Sequence, residues 1–124
     1  MDLFLHEHAY PQNLAVDIEA EVVYWRDCYR KMPFYRAGTS FNRYLPAIKF
    51  GYDSYFAHFR DGLEMALPVL KQRYENHFPA SDAVPWSICK EIIRAVWERI
   101  RADHRARCAA LALHDDAGSR HAPH

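Results

Sequence analysis

The stretch from Phe41 to Phe59, FNRYLPAIKFGYDSYFAHF, constrains the fold more than any other part of the chain. It packs seven aromatic side chains, one proline and one glycine into nineteen positions. Strand alternation fits it poorly. Leu45, Ile48, Tyr52, Tyr55, Phe56 and Phe59 recur at three- and four-residue spacings, so the stretch predicts a helix with one continuous apolar stripe. Pro46 has a fixed φ and no N–H, which suits a first helical turn, and this places the expected start near Tyr44 or Leu45. Gly51 falls mid-helix, where glycine costs about 1 kcal/mol relative to alanine. That cost calls for a compensating close approach, and the expectation is a second helix crossing at Gly51.

Flanking segments carry the same period. Residues 1–12 read as an irregular arm closed by Pro11. A first helix is expected from an N-cap at Asn13 to about Lys31, on the stripe Leu14, Ile18, Val22, Trp25 and Tyr29. Its acids lie toward its start and its bases toward its end, as the helix dipole favours. Phe34 and Tyr35, in the connection that follows, are expected to fold back onto the core. A third helix carries Leu63, Leu67, Leu70, Tyr74 and Phe78, and Pro68 places the start of its regular part near Leu67. After the turn-rich segment PASDAVP, a fourth opens near Pro85 or Trp86 on Trp86, Cys89, Ile93, Val96, Trp97 and Ile100. The expected organisation is one all-α domain over residues 13–113, a compact antiparallel bundle of about four helices, with a disordered tail over 114–124.

Charge excludes the simplest polyanion binders. The formal net charge is zero, with sixteen basic against sixteen acidic residues, so neither nucleic acid nor an anionic membrane is an expected partner. The charges are nonetheless sorted. Residues 1–25 hold five acids and no base; residues 26–60 hold seven bases against Asp27 and Asp53. Mutual attraction of the two segments, within the fold or across a dimer, is the expectation. Three cysteines without a C-x-x-C pair argue against a disulfide framework and for a reducing compartment. With no signal-peptide pattern and no apolar run of about 20 residues, a cytoplasmic location is expected.

Catalytic and metal spacings fail one by one. No Glu-x-x-His, His-Glu-x-x-His or His-x-x-x-His occurs, and no Cys stands near a His at zinc-finger spacing. His6-Glu7-His8 is a close pair on the expected arm, and His58 and His77 fall near helix ends, where capping and surface roles suffice. There is no G-x-S-x-G, and four dispersed glycines exclude a phosphate-cradling loop. Cys28 and Cys89 sit where packing residues belong. Neither a metal nor another cofactor is expected, and the balance leans away from an enzyme.

An aromatic surplus remains, with three tryptophans, eight tyrosines and seven phenylalanines. A core of rings at helical spacing accounts for most of them, but a small bundle has difficulty burying every one, so self-association as a homodimer is the expected outlet for the excess.

Three segments, YWRDCYRKMPFY, FNRYLPAIKFGYDSY and VPWSICKEIIRAVWERIR, carry a likeness. Together they resemble a group of small bacterial helical proteins of uncharacterised function, met in stress-associated contexts. The group's pattern is Y-x-P-A, two aromatics, Gly, an aromatic and an acid, then a W-x-x-x-K-x-x-I-x-x-A-W helix. Tyr44, Pro46, Ala47, Phe50, Gly51, Tyr52, Asp53, Trp86, Lys90, Ala95 and Trp97 match it. Ile48 and Lys49 depart from the tyrosine-arginine often found after Pro-Ala, and Tyr74 stands in place of a tryptophan. The resemblance implies a helical, stress-related bacterial protein and no assigned activity.

Two functions follow as expectations. The first is a non-enzymatic interaction or self-association module, with a second copy or another protein as partner and Tyr44, Gly51, Tyr52, Asp53, Lys90 and Trp97 as candidate interaction or pocket residues. The alternative is a ligand-binding or enzymatic bundle whose polar cluster between helices draws on Tyr44, Tyr52, Asp53, Glu64 and Lys90.

Overall fold

A computed structural model describes residues 16–79 and 83–121, the last nine of these in backbone only. The described residues contain four α-helices and no strand: α1 Ile18–Cys28, α2 Phe41–His58, α3 Leu63–His77 and α4 Trp86–His121. A 3₁₀ turn, Tyr29–Lys31, extends α1. The all-α bundle expected from periodicity is therefore the observed architecture. The chain divides inside α4 into two units, Val16–Trp97 and a second that contains Glu98 onward.

In the Val16–Trp97 unit, α2 is the buried centre. Nine of its eighteen residues are buried, against four of fifteen in α3 and Trp25 alone in α1. The buried ridge runs Phe41, Tyr44, Ile48, Gly51, Tyr55, while Leu45, Phe56 and Phe59 lie at its margins. Facing it are Leu63, Ala66, Leu70 and Tyr74 of α3, and Ile88, Cys89, Ile92, Ile93, Val96 and Trp97 of α4. Phe34 folds into this core as expected.

Gly51 lies directly against the Val96 side chain of α4. A Cβ placed on it would stand 3.1 Å from both Cβ and Cγ2 of Val96, so α4 crosses α2 at the one position without a side chain.

Both proline expectations are corrected in the same way. α2 starts at Phe41, and α3 at Leu63, so Pro46 and Pro68 each sit at the sixth helical residue, inside the helix. Each removes a bond to the carbonyl four residues back, Asn42 and Glu64. Both of those residues are exposed, so water can take the place of the missing donor. Gly62, at φ +90°, makes the left-handed turn that joins α2 to α3.

α1 takes its N-cap from Asp17, whose carboxylate accepts from the backbone N–H groups of Glu19 and Ala20. The expected cap Asn13 lies outside the described residues, as do the arm over 1–12 and His6-Glu7-His8. α4 opens at Trp86 as expected, and its backbone stays helical to His121, through most of the segment expected as a tail. In the unit beginning at Glu98, the helix carries the ion pairs Arg105–Glu98 and Arg107–Asp103, both at 3.1 Å. No helix among the described residues is long and apolar enough to cross a membrane.

Candidate functional site

Most buried polar groups described in the Val16–Trp97 unit are consumed by the fold, His58 Nε2 excepted, and α2 supplies most of the partners. The indole N–H of Trp25 donates to Tyr52 Oη at 2.8 Å, and that hydroxyl donates in turn to the Glu21 carboxylate. The Trp97 indole donates to Ser54 Oγ at 2.9 Å, and Ser54 donates to the Gly51 carbonyl at 2.7 Å. Tyr44 accepts the backbone N–H of Arg36, pinning the connection before α2; Tyr74 donates to the Val84 carbonyl, pinning the one before α4. These hydroxyls and indoles satisfy each other. With its hydrogen on Gly51 and an acceptor position on Trp97, Ser54 is not poised as a nucleophile.

One cleft departs from this rule. Between α2 and α3 a cavity of about 420 Å³ is lined by Phe50, Asp53, Ser54, Arg73, His77 and Phe78. Its wall is aromatic. Phe50 and Phe78 meet edge to face at 5.9 Å, with Tyr74 packed on both at 5.5 and 4.9 Å. Its rim is charged. Asp53 comes from α2, while Arg73 and His77 stand one turn apart on α3. Among the described residues, none of the three makes a hydrogen bond or an ion pair within the protein. Burial raises the Asp53 carboxyl above its ordinary range, and Lys49, one turn along α2, offsets this only in part.

A second cavity, about 320 Å³, makes the contrast. It is lined by Pro33, Phe34, Glu91, Arg94 and Ala95. Its charges are already engaged, Glu91 with Arg36 at 3.5 Å and Arg94 with Glu64 at 2.7 Å.

The residues selected from sequence disperse. Tyr44, Tyr52 and Trp97 are buried and hydrogen-bonded, and Gly51 is the helix crossing. Lys90 is half-buried on α4 and Glu64 is paired at the surface. Of all of them, Asp53 alone lines the α2–α3 cleft. Arg73 went unmarked, and His77 was assigned a surface role. Their signal was the four-residue spacing that sets a guanidinium and an imidazole on one face of α3 just before Phe78.

Among the described residues no aromatic ring is fully exposed. Ten of the described rings are buried and the other six half-buried. The exposed large apolar residues are aliphatic: Val23, Met65, Val69 and Leu111. Among the described residues no group of three or more His, Cys, Asp or Glu is placed to hold a metal ion. No protein-family model matches the chain, and neither a curated protein nor a solved structure matches it.

Proposed function

We propose that the protein is a small-molecule-binding helical bundle whose site is the α2–α3 cleft. One observation carries this: Asp53, Arg73 and His77 line one aromatic-walled cavity and, among the described residues, make no hydrogen bond or ion pair. The three stand exposed at the rim, where water solvates them in the free protein and a ligand with matching groups can displace it. The volume is that of a site for a small ligand. A fragment screen followed by amide and aromatic-ring NMR shifts tests the reading. Shifts concentrated at Phe50, Asp53, Arg73, His77 and Phe78 are expected; a screen that moves none of them overturns it.

A second reading, self-association, draws on α3. Met65 is 76% exposed and Val69 48%, one turn apart on the same helix face. Sedimentation of the full chain tests it: a dimer that Met65→Lys dissociates supports a homodimer formed through α3, and a monomer at every accessible concentration removes it.

A further inference from the structure

The linings of the α2–α3 cleft differ enough from wall to wall to name a ligand class. On α3, Arg73 presents a guanidinium and His77 an imidazole one turn further on. A guanidinium carries paired donors in a fixed fork and suits a carboxylate. On α2, Asp53 offers oxygens that accept from an N–H or O–H. Phe50 and Phe78 meet at 81° and form an apolar corner, with Tyr74 behind them.

Simpler ligands meet opposition. A bare anion on Arg73 would face the Asp53 carboxylate across the cleft, and a bare cation on Asp53 would face Arg73. An uncharged ring would fill the aromatic corner and leave the charged groups at the rim to water. A molecule carrying an anion, a donor and a flat apolar body on one short frame uses every wall.

We infer that the cleft binds a small aromatic carboxylate bearing a hydrogen-bond donor beside the carboxylate, of the aromatic amino acid or aromatic hydroxy acid kind. This assignment rests on the reading of the α2–α3 cleft as a ligand site. The carboxylate lies on Arg73 and His77, the donor on Asp53, and the ring against Phe50 and Phe78. The two sources share this chemistry and differ in whether the donor is an ammonium or a hydroxyl.

Four probes separate the elements, each titrated into the full chain and followed by NMR: L-phenylalanine, 3-phenyllactate, 3-phenylpropionate and 2-phenylethylamine. Phenylalanine or phenyllactate is expected to bind tightest, and which of them leads identifies the donor. Phenylpropionate, lacking the donor, and phenylethylamine, lacking the carboxylate, are each expected to bind roughly tenfold more weakly, the scale of one charge-assisted hydrogen bond. Arg73→Met is expected to weaken the leading probe by about tenfold or more. Because Arg73 is exposed and makes no ion pair among the described residues, that variant should fold, and an unchanged melting temperature verifies it. Lys71→Ala, the same charge change on α3 at a residue paired with Glu75, is expected to leave affinity unchanged.

Equal binding of phenylethylamine and phenylalanine, or no effect of Arg73→Met, overturns the inference. If all four probes fail while indole or inorganic phosphate moves the cleft resonances, the ligand class is wrong and the site stands. If nothing moves them, site and class fall together.

Discussion

Gly51 of α2 and Val96 of α4 are in close contact: a Cβ added to Gly51 would lie 3.1 Å from Val96 Cβ. A Cβ cannot rotate away, and Val96 is fully buried, so relief requires the helices themselves to separate. Alanine at position 51 gains about 1 kcal/mol of helix propensity, but overpacking a close crossing costs about 1–3 kcal/mol. Gly51→Ala is therefore expected to destabilise by about 1 kcal/mol net in urea unfolding. In the Val96→Ala background, where both γ carbons are gone, the loss should shrink. A variant more stable than the parent would mean that the crossing yields easily.

Both indole N–H groups in the described core end on hydroxyls of α2. Ser54→Ala leaves the Trp97 N–H buried without an acceptor, which costs about 1–3 kcal/mol. Tyr52→Phe does the same to Trp25 and removes the donor to Glu21. Chemical denaturation followed by tryptophan fluorescence measures each loss. The cost of Ser54→Ala should be smaller in a Trp97→Phe background, where no N–H is stranded; an equal cost there would assign the effect to lost packing.

Periodicity made the helices legible because a 3.6-residue stripe needs only local information. Gly51 was legible for a related reason, since a mid-helix glycine is unfavourable unless something lies against it. Pro46 and Pro68 misled because a first-turn proline and a solvent-side proline in the sixth position leave the same local trace. What separates them is the exposure of Asn42 and Glu64, a tertiary fact. The cleft was half legible. Asp53 stood out on α2, but its counterparts Arg73 and His77 lie twenty or more residues further on, and only the packing of α2 on α3 brings them to one cavity. Many of the aromatic rings pack on one another in the core, as Tyr29 and Phe34 both do on Tyr44, a tertiary arrangement that helical spacing suggests but does not specify.

Cysteine reactivity should sort by burial. Cys89 is fully buried, and burial pushes its thiol upward, away from the reactive thiolate. Cys108 is exposed, with its sulfur 3.6 Å from His104 Nε2. Iodoacetamide at pH 8, with sites read by peptide mass spectrometry, is expected to label Cys108 in the native protein and Cys89 only after unfolding. Equal rates at the two positions would contradict the packing of α4 on Tyr74.

Asp53 gives the cleft a signature in stability as well as in binding. Because burial raises its carboxyl in the folded chain, the folded state holds more protons than the unfolded state between the ordinary carboxylate value of about 4 and the raised one. Stability contributed by this group therefore falls as pH rises through that window, and the penalty is fully present above it. Asp53→Asn removes the penalty and is expected to melt higher than the parent at neutral pH. The difference should fade in acid, where Asp53 is protonated in both states. Thermal melts across pH measure this, repeated with Arg73→Gln and His77→Gln in place so that the groups facing Asp53 from α3 do not contribute. Identical pH profiles for parent and variant would mean that the carboxylate suffers no burial penalty. A variant that is more stable and no longer binds ligand would identify Asp53 as a residue held against the stability of the fold for the sake of the site.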